Sequence, residues 1–361
     1  MKSKEIAVIT FSLSNNGAER VFTELSNEWA KEGHSVTVMQ FEKNAFGSES
    51  FELDSKVKEI TLDHKCVANK LKRYFLYLRD IRKYLKDHQN AVVISFSFTT
   101  QLIVAMASMF LKNRIIFSER NDPNRCPYSK ITRILRDLSF HKADKIVFQT
   151  EDAKAYFPQS IQRRGTIIVN PINPLLPEVY NGDRRKTIIT ASRLRPQKNL
   201  SMLIEAFSIF HTSFTDYEVE IYGIGEELKL LEQVAIDNGV ADKVHFMGFS
   251  TEVNMKMRDA AMYVCSSDYE GISNSMLEAL GMGIPTISTD CPIGGARQVI
   301  KDHENGILIP VRDTQALYHA MVEVAENKDL ASKLTRNSSH AREEYNVERI
   351  AMQWVDFFDE N

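Results

Sequence analysis

Glu270-Gly271-Ile272-Ser273-Asn274-Ser275-Met276-Leu277-Glu278 decides the fold of this chain. Two carboxylates stand eight residues apart, separated by a glycine, small polar residues and the start of an apolar helical pattern. A strand-like run, Met262-Tyr263-Val264-Cys265-Ser266, comes shortly before. Strand, short loop and helix make the half-unit of a doubly wound α/β sheet, where ligands bind at the ends of strands and the starts of helices. Glu270 then sits on the loop, and Glu278 about two helical turns further on. The loop offers bare backbone N–H groups at a helix N-terminus, a favourable place for phosphate.

The same alternation runs outward through the whole chain. Strand-like runs predict strands at Glu5–Phe11, Ser35–Phe41, Val57–Leu62, Ala91–Ser97, Arg114–Ser118, Lys145–Gln149 and Thr166–Val169. A second set follows at Lys186–Ala191, Glu218–Tyr222, Lys243–Met247, Ala261–Ser266, Pro285–Ser288 and Gly306–Ile309. Helix-length amphipathic stretches separate them, the pattern of βαβ units in a parallel sheet. Asn170-Pro171-Ile172-Asn173-Pro174-Leu175-Leu176-Pro177 suits an interdomain linker, because proline neither continues a helix nor donates to a ladder. With 361 residues there is enough chain for two full cores.

Bulk composition removes several classes. A hydrophobic content of 43% with 26% charged residues is that of a soluble globular protein. Cys66, Cys126, Cys265 and Cys291 are scattered without metal spacing, which argues for a reducing cytoplasm and against disulfides. No apolar signal segment follows Met1, and the run Leu102 to Leu111 is about half of what a spanning helix needs. Charge is uneven: residues 1–172 carry 27 Lys and Arg against 19 Asp and Glu, and residues 173–361 carry 18 against 29. The first half is therefore expected to meet something anionic, unless the asymmetry serves solubility alone.

A second loop matches the first. Ala191-Ser192-Arg193-Leu194-Arg195-Pro196-Gln197-Lys198-Asn199 follows the strand Lys186–Ala191 and places Arg193 and Lys198 at a strand-to-helix junction. Arg grips phosphate oxygens as a planar fork, and Lys supplies a compact charge. One loop with two cations beside another with two carboxylates points to a polyhydroxylated ligand carrying a pyrophosphate, such as a nucleotide sugar. Each loop taken singly also reads as an ordinary solvated surface.

The ordered set of motifs resembles the retaining glycosyltransferases of family 4, over nearly the whole chain. The residues that carry the resemblance are Asn16-Gly17-Ala18-Glu19-Arg20, Ser192-Arg193-Leu194 with Lys198-Asn199, Tyr222-Gly223-Ile224-Gly225-Glu226, Glu270 to Glu278, and the small residues around Gly281, Gly283 and Pro285. The resemblance implies a GT-B fold, two Rossmann-like doubly wound parallel-sheet domains facing each other across a cleft. It assigns 1–172, with a C-terminal helix of about 347–361, to an acceptor-binding domain, and 173–346 to a nucleotide-sugar domain. The stretch Val347 to Phe358 has the helical apolar spacing such a returning helix needs.

The resemblance also implies roles. Glu270 meets the donor sugar and Glu278 the ribose hydroxyls, while Gly271, Ile272, Ser273 and Asn274 line the pyrophosphate and sugar. Gly17 lies near pyrophosphate and acceptor; the plainer reading is a loop glycine opening a helix. Phe249 and Ser250 are candidates for reading uracil. Relatives often carry His where this chain has Arg120, within Ser118-Glu119-Arg120-Asn121-Asp122-Pro123. A guanidinium is no base near neutral pH, so Arg120 would stabilise charge, bind the acceptor, or pair with Glu119 or Asp122. That string is most like those of enzymes using UDP-galactose or UDP-N-acetylgalactosamine.

No D-x-D occurs in the chain, so the expectation is a metal-independent enzyme without cofactor. Arg193, Lys198 and helix N-termini would then stabilise the leaving UDP. The implied reaction retains configuration by front-face attack, with no enzyme nucleophile. A glycosidase also uses two carboxylates, but it needs no pair of phosphate-binding cations.

Lys65 to Lys86 is a basic stretch with Val67, Leu71, Tyr74, Phe75, Leu78, Ile81 and Leu85 on one expected helical face. Lys72, Arg73, Arg79 and Lys83 would project outward, toward anionic membrane lipid or the pyrophosphate of a polyprenyl-linked acceptor, or simply into solvent. No nucleic-acid motif accompanies the charge. The expected protein is a cytoplasmic enzyme, peripheral on the inner face of the membrane, that moves a hexose or N-acetylhexosamine from a UDP-sugar to a lipid-linked glycan. Rival readings are a UDP-sugar epimerase, a phosphorylase on the same fold, or a silent scaffold subunit.

Overall fold

The computed structural model describes residues 3–13, 17–43 and 51–359. Asn16, part of the first motif, lies outside the described residues. The chain divides into two units, Met1–Pro171 with Val347–Asn361, and Ile172–Asn346. Each is a parallel sheet wrapped by helices, the GT-B combination of two doubly wound domains.

The first unit has seven strands: β1 (Glu5–Thr10), β2 (Ser35–Gln40), β3 (Lys58–Thr61), β4 (Val92–Ser95), β5 (Arg114–Ser118), β6 (Lys145–Phe148) and β7 (Gly165–Ile167). Their spatial order is β3-β2-β1-β4-β5-β6-β7. Ile6, Val8, Ile9, Val93 and Ile94 are fully buried, as continuous apolar runs must be when helices cover both faces of a sheet. The helices are α1 (Gly17–Lys31), α2 (Lys70–Asp87), α3 (Phe98–Ala107), α4 (Lys130–Phe140), α5 (Glu151–Ala155) and α6 (Gln159–Gln162). From β1 the chain steps to β2 in one direction along the sheet. From β3 onward it steps the other way, so right-handed crossovers put α1 on one face and α2, α3 and α4 on the other.

The second unit has β8 (Arg185–Ala191), β9 (Glu218–Tyr222), β10 (Val244–Gly248), β11 (Ala260–Cys265), β12 (Thr286–Thr289) and β13 (Ile307–Ile309), in the order β10-β9-β8-β11-β12-β13. Its helices are α7 (Leu200–His211), α8 (Leu228–Asp237), α9 (Val253–Met257), α10 (Asn274–Gly281), α11 (Thr314–Glu326), α12 (Lys328–Ser338) and α13 (Ala341–Glu344). The last helix, α14 (Val347–Asp359), belongs to the first unit. Its apolar stripe of Ile350, Ala351, Trp354 and Phe358 is buried against α1. Trp29 packs edge-on to Trp354 and its indole N–H donates to the Ala351 carbonyl at 3.1 Å. Among the described residues no helix is long and apolar enough to cross a membrane.

The basic stretch departs from its expected form. Helix α2 starts at Lys70, not Lys65, because the Asn69 side chain caps it by accepting from the Lys72 N–H at 3.1 Å. Only its second half is packed: Tyr77, Ile81, Tyr84 and Leu85 are buried, whereas Leu71, Tyr74 and Phe75 face solvent. The expected single core-facing stripe is therefore broken at its N-terminal end. Arg73 does not project freely; its guanidinium donates to the Val67 carbonyl and lies near Glu42. Arg79 pairs with Asp80, while Lys72 and Lys83 are exposed.

Candidate functional site

In the second unit, neighbouring strands β8 and β11 are where the winding direction reverses. That switch point opens a crevice beyond the strand ends. The loops that leave these two strands are the two marked in the sequence. Arg193 to Asn199 follows β8 and Ser266 to Ser273 follows β11.

Four hydrogen bonds tie the loops together, besides an ion pair. Gln197 Nε2 donates to the Tyr269 carbonyl at 2.7 Å, and the Asp268 N–H donates to the Gln197 carbonyl at 2.9 Å. Ser266 Oγ donates to the Lys198 carbonyl at 2.9 Å. Asn199 takes a left-handed conformation, φ 43°, and its amide donates to Asp268 Oδ1 at 3.0 Å. Asp268 is clamped from the other side by Arg312, at 2.9 and 2.5 Å.

On this frame Lys198 Nζ and the Glu270 carboxylate form a direct ion pair. Both side chains are mostly buried, 15% and 19% exposed. Burial alone would lower the pKa of the Lys198 ammonium, but the Glu270 carboxylate outweighs it and holds the pKa above its ordinary value. The Arg193 charge, close enough to be felt, opposes that rise. Arg193 itself is exposed. Glu270 also accepts from Ser267 Oγ at 3.3 Å.

Helix α10 starts beside this pair. Ser273 is its cap, with Oγ accepting from the Met276 N–H. Ser275 Oγ donates to the Ala191 carbonyl at 2.7 Å and meets the Tyr263 hydroxyl at 2.8 Å, which binds the helix start to β8 and β11. Burial raises the Tyr263 pKa, so the phenol stays protonated. Gly271, Ile272 and Ser273 are buried, Asn274 is half-buried, and Glu278 is buried within the helix. A small cavity between the loops is lined by Ser192, Lys198, Tyr263, Ser267 and Ser273. The Ser192 hydroxyl there is buried without a hydrogen-bond partner among the described residues.

The glycine motif after β9 acquires a physical role that its sequence reading lacked. Gly223 has φ 136°, and a Cβ on it would overlap the Ser192 carbonyl. A Cβ on Gly225 would overlap the Leu194 carbonyl. The Ser192 N–H donates to Tyr222 at 2.9 Å and the Leu194 N–H to Ile224 at 3.0 Å. The two glycines thus let one loop lie flat against the one that carries Arg193. The Gly223 N–H donates in turn to Gly248 at 2.8 Å, which brings the end of β10 to the same rim. Phe249, just beyond, is half-exposed, and Ser250 Oγ accepts from the Glu252 N–H.

Gly17 and Arg120 belong to the first unit, at the C-terminal ends of β1 and β5. Gly17 opens α1 and is exposed. Arg120 pairs with neither Glu119 nor Asp122. Its guanidinium lies 4.0 Å from the Phe96 ring centre and 5.7 Å from that of Trp354, and it donates to Asn170 Oδ1. Its Nε and Nη2 are buried and have no partner among the described residues, and burial lowers its pKa to about 9. Glu119 turns to other donors, accepting from the N–H groups of Arg120 and Asn121 at 3.1 and 3.2 Å and from Arg136 at 3.3 Å. Burial nevertheless pushes its pKa up to about 7.

Comparison with known proteins gives the family and the fold. Residues 15–174 match the family described as Glycosyltransferase Family 4, and residues 177–341 match Glycosyl transferases group 1. An uncharacterized glycosyltransferase of Haemophilus influenzae is 24% identical over 342 residues, covering 94% of this chain and 96% of that protein. A Campylobacter jejuni enzyme, GalNAc-alpha-(1->4)-GalNAc-alpha-(1->3)-diNAcBac-PP-undecaprenol alpha-1,4-N-acetyl-D-galactosaminyltransferase, is 26% identical over 363 residues, 97% of each chain. In fold, the chain is similar to Anabaena HepE in complex with UDP-glucose, with a TM-score of 0.82 at 17% identity over 98% of this chain and 99% of that one. The sucrose-phosphate synthase of Thermosynechococcus elongatus gives a TM-score of 0.84 at 16% identity, over 98% of each chain.

Proposed function

From its membership of glycosyltransferase family 4, with the GT-B fold, we propose that this protein is a retaining, metal-independent transferase of bacterial glycan assembly. It moves a hexose or N-acetylhexosamine from a UDP-sugar, UDP-galactose or UDP-N-acetylgalactosamine, to a lipid-linked glycan. It works at the cytoplasmic face of the membrane. The observation that carries the reading is the Lys198–Glu270 pair at the switch point of the second sheet, beside the start of α10. The C. jejuni relative, whose name gives a polyprenyl diphosphate-linked acceptor, supports the choice of acceptor class.

Lys198 and Arg193 hold the diphosphate, and Lys198 gives up part of its attraction to Glu270 as negative charge builds on the leaving oxygen. Glu270 accepts hydrogen bonds from the donor sugar, and Glu278 from the ribose. The bond between the anomeric carbon and the UDP oxygen breaks as the acceptor hydroxyl attacks from the same face. The hydroxyl proton passes to the departing phosphate, so UDP and the α-linked glycan leave without an enzyme nucleophile. Arg120, with two N–H-bearing nitrogens that have no partner among the described residues, supplies a further positive charge to the first unit's half of the reaction.

The test is to supply a panel of UDP-sugars with and without a polyprenyl diphosphate-linked acceptor and to read the product by NMR. An acceptor-dependent α-glycoside from one donor is expected. A β-glycoside overturns retention, and an epimerised UDP-sugar formed without acceptor identifies a different enzyme on the same fold.

A further inference from the structure

Helix α4 is built inside out. Its sequence places Ile131, Ile134, Leu135 and Leu138 at the spacing of one helical face, the face that normally packs on a sheet. Here that face is turned to solvent: Ile131 is 70% exposed, Ile134 59% and Leu138 60%. The side facing the protein carries Arg136, 1% exposed, together with Ser139 and the fully buried Phe140, which packs on Phe117 and Phe157. Arg136 is held by Glu119, by Asp137 at 2.7 Å, and by the carbonyls of Pro123 and Cys126 at 3.0 and 2.5 Å. A buried, fully bonded arginine fixes the helix in this orientation and keeps the aliphatic face out.

The apolar surface continues onto the neighbouring elements. Helix α3 packs beside α4, and the turn that ends it presents Met109 and Phe110. Phe110 is 92% exposed and has φ 62°, a conformation that costs a bulky residue energy and gains it no packing. Arg82 of α2 braces this turn by donating to Ala107 and Met109 at 2.7 and 2.9 Å. Leu71 and Phe75 of α2, which packs against α3, are exposed as well.

The surroundings are strongly basic. From Lys70 to Lys142 there are 15 Lys and Arg against 5 Asp and Glu. Four of those acids are already engaged: Asp80 with Arg79 and His64, Glu119 and Asp137 with Arg136, and Asp122 with Asn124. Lys130 is exposed at the start of the aliphatic face, and Lys112 next to the Phe110 turn.

We propose that the outward face of α4, with the Met109–Phe110 turn, inserts into the interfacial layer of an anionic bilayer, and that the lysines of α2 only attract the protein to it. This rests on the membrane-side setting proposed above and moves the anchor from the basic helix to α4. Exposed aliphatics rimmed by Lys and Arg are what such a surface binds. A second copy of the chain is the poorer occupant, because a two-fold contact would set this basic surface against itself.

The experiment is co-sedimentation of the full chain with phosphatidylcholine vesicles containing phosphatidylglycerol, at low and high salt. Three forms are compared: wild type, Ile131→Ser/Ile134→Ser/Leu138→Ser, and Lys72→Gln/Lys83→Gln. The triple variant should lose at least about tenfold in partitioning at both salt concentrations, since insertion of apolar groups is not screened. The lysine variant should lose binding mainly at low salt. UDP binding and thermal unfolding of the triple variant should match wild type, because the replaced groups are in water. As a gain of signal, Ile134→Trp should show blue-shifted fluorescence with vesicles. Wild-type-like partitioning of the triple variant, or no shift for Ile134→Trp, overturns the inference while leaving the membrane setting intact if the lysine variant is impaired. A wild-type dimer that the triple variant dissolves overturns it in favour of self-association. If wild type ignores vesicles altogether, both the anchor and the membrane setting fall, while the UDP-sugar assay still judges the chemistry.

Discussion

Replacing Lys198 by Ala removes a charge with two separable duties, and a double-mutant cycle with Glu270→Gln distinguishes them. Without ligand, Lys198 neutralises a carboxylate that is only 19% exposed. Breaking a fully buried pair by removing one partner costs about 3–5 kcal/mol. The residual exposure of both groups puts Lys198→Ala at about 2 kcal/mol of unfolding free energy. Glu270→Gln in that background removes the stranded charge, so the double variant should regain about 1 kcal/mol; comparing that change with the effect of Glu270→Gln in the wild-type background gives the coupling of the pair. UDP affinity should follow a different pattern. A charged hydrogen bond to phosphate is worth about 1.5–3 kcal/mol, so Lys198→Ala should raise the Kd for UDP roughly 10- to 150-fold. Glu270→Gln alone should leave UDP binding near wild type while abolishing transfer, because its partner in the complex is the sugar. The double variant should therefore be partly restored in stability but not in UDP affinity. Urea unfolding and calorimetry on the four proteins measure both. Wild-type UDP affinity in Lys198→Ala, or recovery of affinity along with stability in the double variant, refutes the phosphate role and leaves the pair as structural.

Three further outcomes follow from the same geometry. Glu278→Gln should weaken UDP and UDP-sugar alike, by about 1–2 kcal/mol in calorimetry, since a ribose contact is common to both; loss confined to the UDP-sugar would move Glu278 to the sugar. Activity should persist in EDTA, and loss that Mg²⁺ or Mn²⁺ restores would replace the electrostatic account of UDP departure with a metal-assisted one. Glu119 has a pKa raised from its usual range to about 7 by burial, so its contribution to stability is present at acid pH and is lost as pH rises from about 4.5 through 7. Glu119→Gln should flatten the pH dependence of unfolding across that window by up to about 3 kcal/mol, and an unchanged profile would show that Glu119 does not titrate there.

The strand pattern was legible because the central strands of both sheets are buried on both faces. Such a strand had to be a short apolar run such as Ile6–Ile9 or Met262–Cys265, bounded by loop residues. The two binding loops were legible because charged residues and a glycine directly after such a run fall at the strand's C-terminal end in any doubly wound sheet. What the chain order alone did not give was which loops touch. Gly223 and Gly225 stood in the sequence as two small residues after a strand. Their purpose emerges only when β9 lies beside β8 and the Ser192 and Leu194 carbonyls occupy the space of two Cβ atoms. Arg120 shows the same limit. Glu119 and Asp122 adjoin it in sequence, yet its actual neighbours are Phe96, Asn170 and Trp354.

Helix α4 marks the point at which periodicity stops being informative. A 3.6-residue apolar repeat states that a helix has an apolar face and says nothing about where that face points. The default assignment to the core rests on the cost of wetting aliphatics. That default can be reversed when the opposite face offers a stronger local tie. Here it offers a guanidinium satisfied by two carboxylates and two carbonyls, all contributed by residues between Glu119 and Asp137. The hydrogen bonds of Arg136 are local in sequence, while its guanidinium also lies over Tyr156 and Phe157 and Phe140 packs the same side of the helix onto Phe117 of β5. The basic run of α2 drew the sequence reading because charge is visible without a structure. The more hydrophobic surface beside it is visible only once Arg136 is seen on the buried side of α4 and Ile134 and Leu138 on the exposed side. Exchanging Arg136 for Leu should therefore do more than remove an ion pair. It should leave Glu119 and Asp137 without their shared cation, free α4 to roll its aliphatic face inward, and lower vesicle binding without any change to the aliphatics themselves. Retained vesicle binding in a folded Arg136→Leu protein would show that the helix is held outward by something other than its buried arginine.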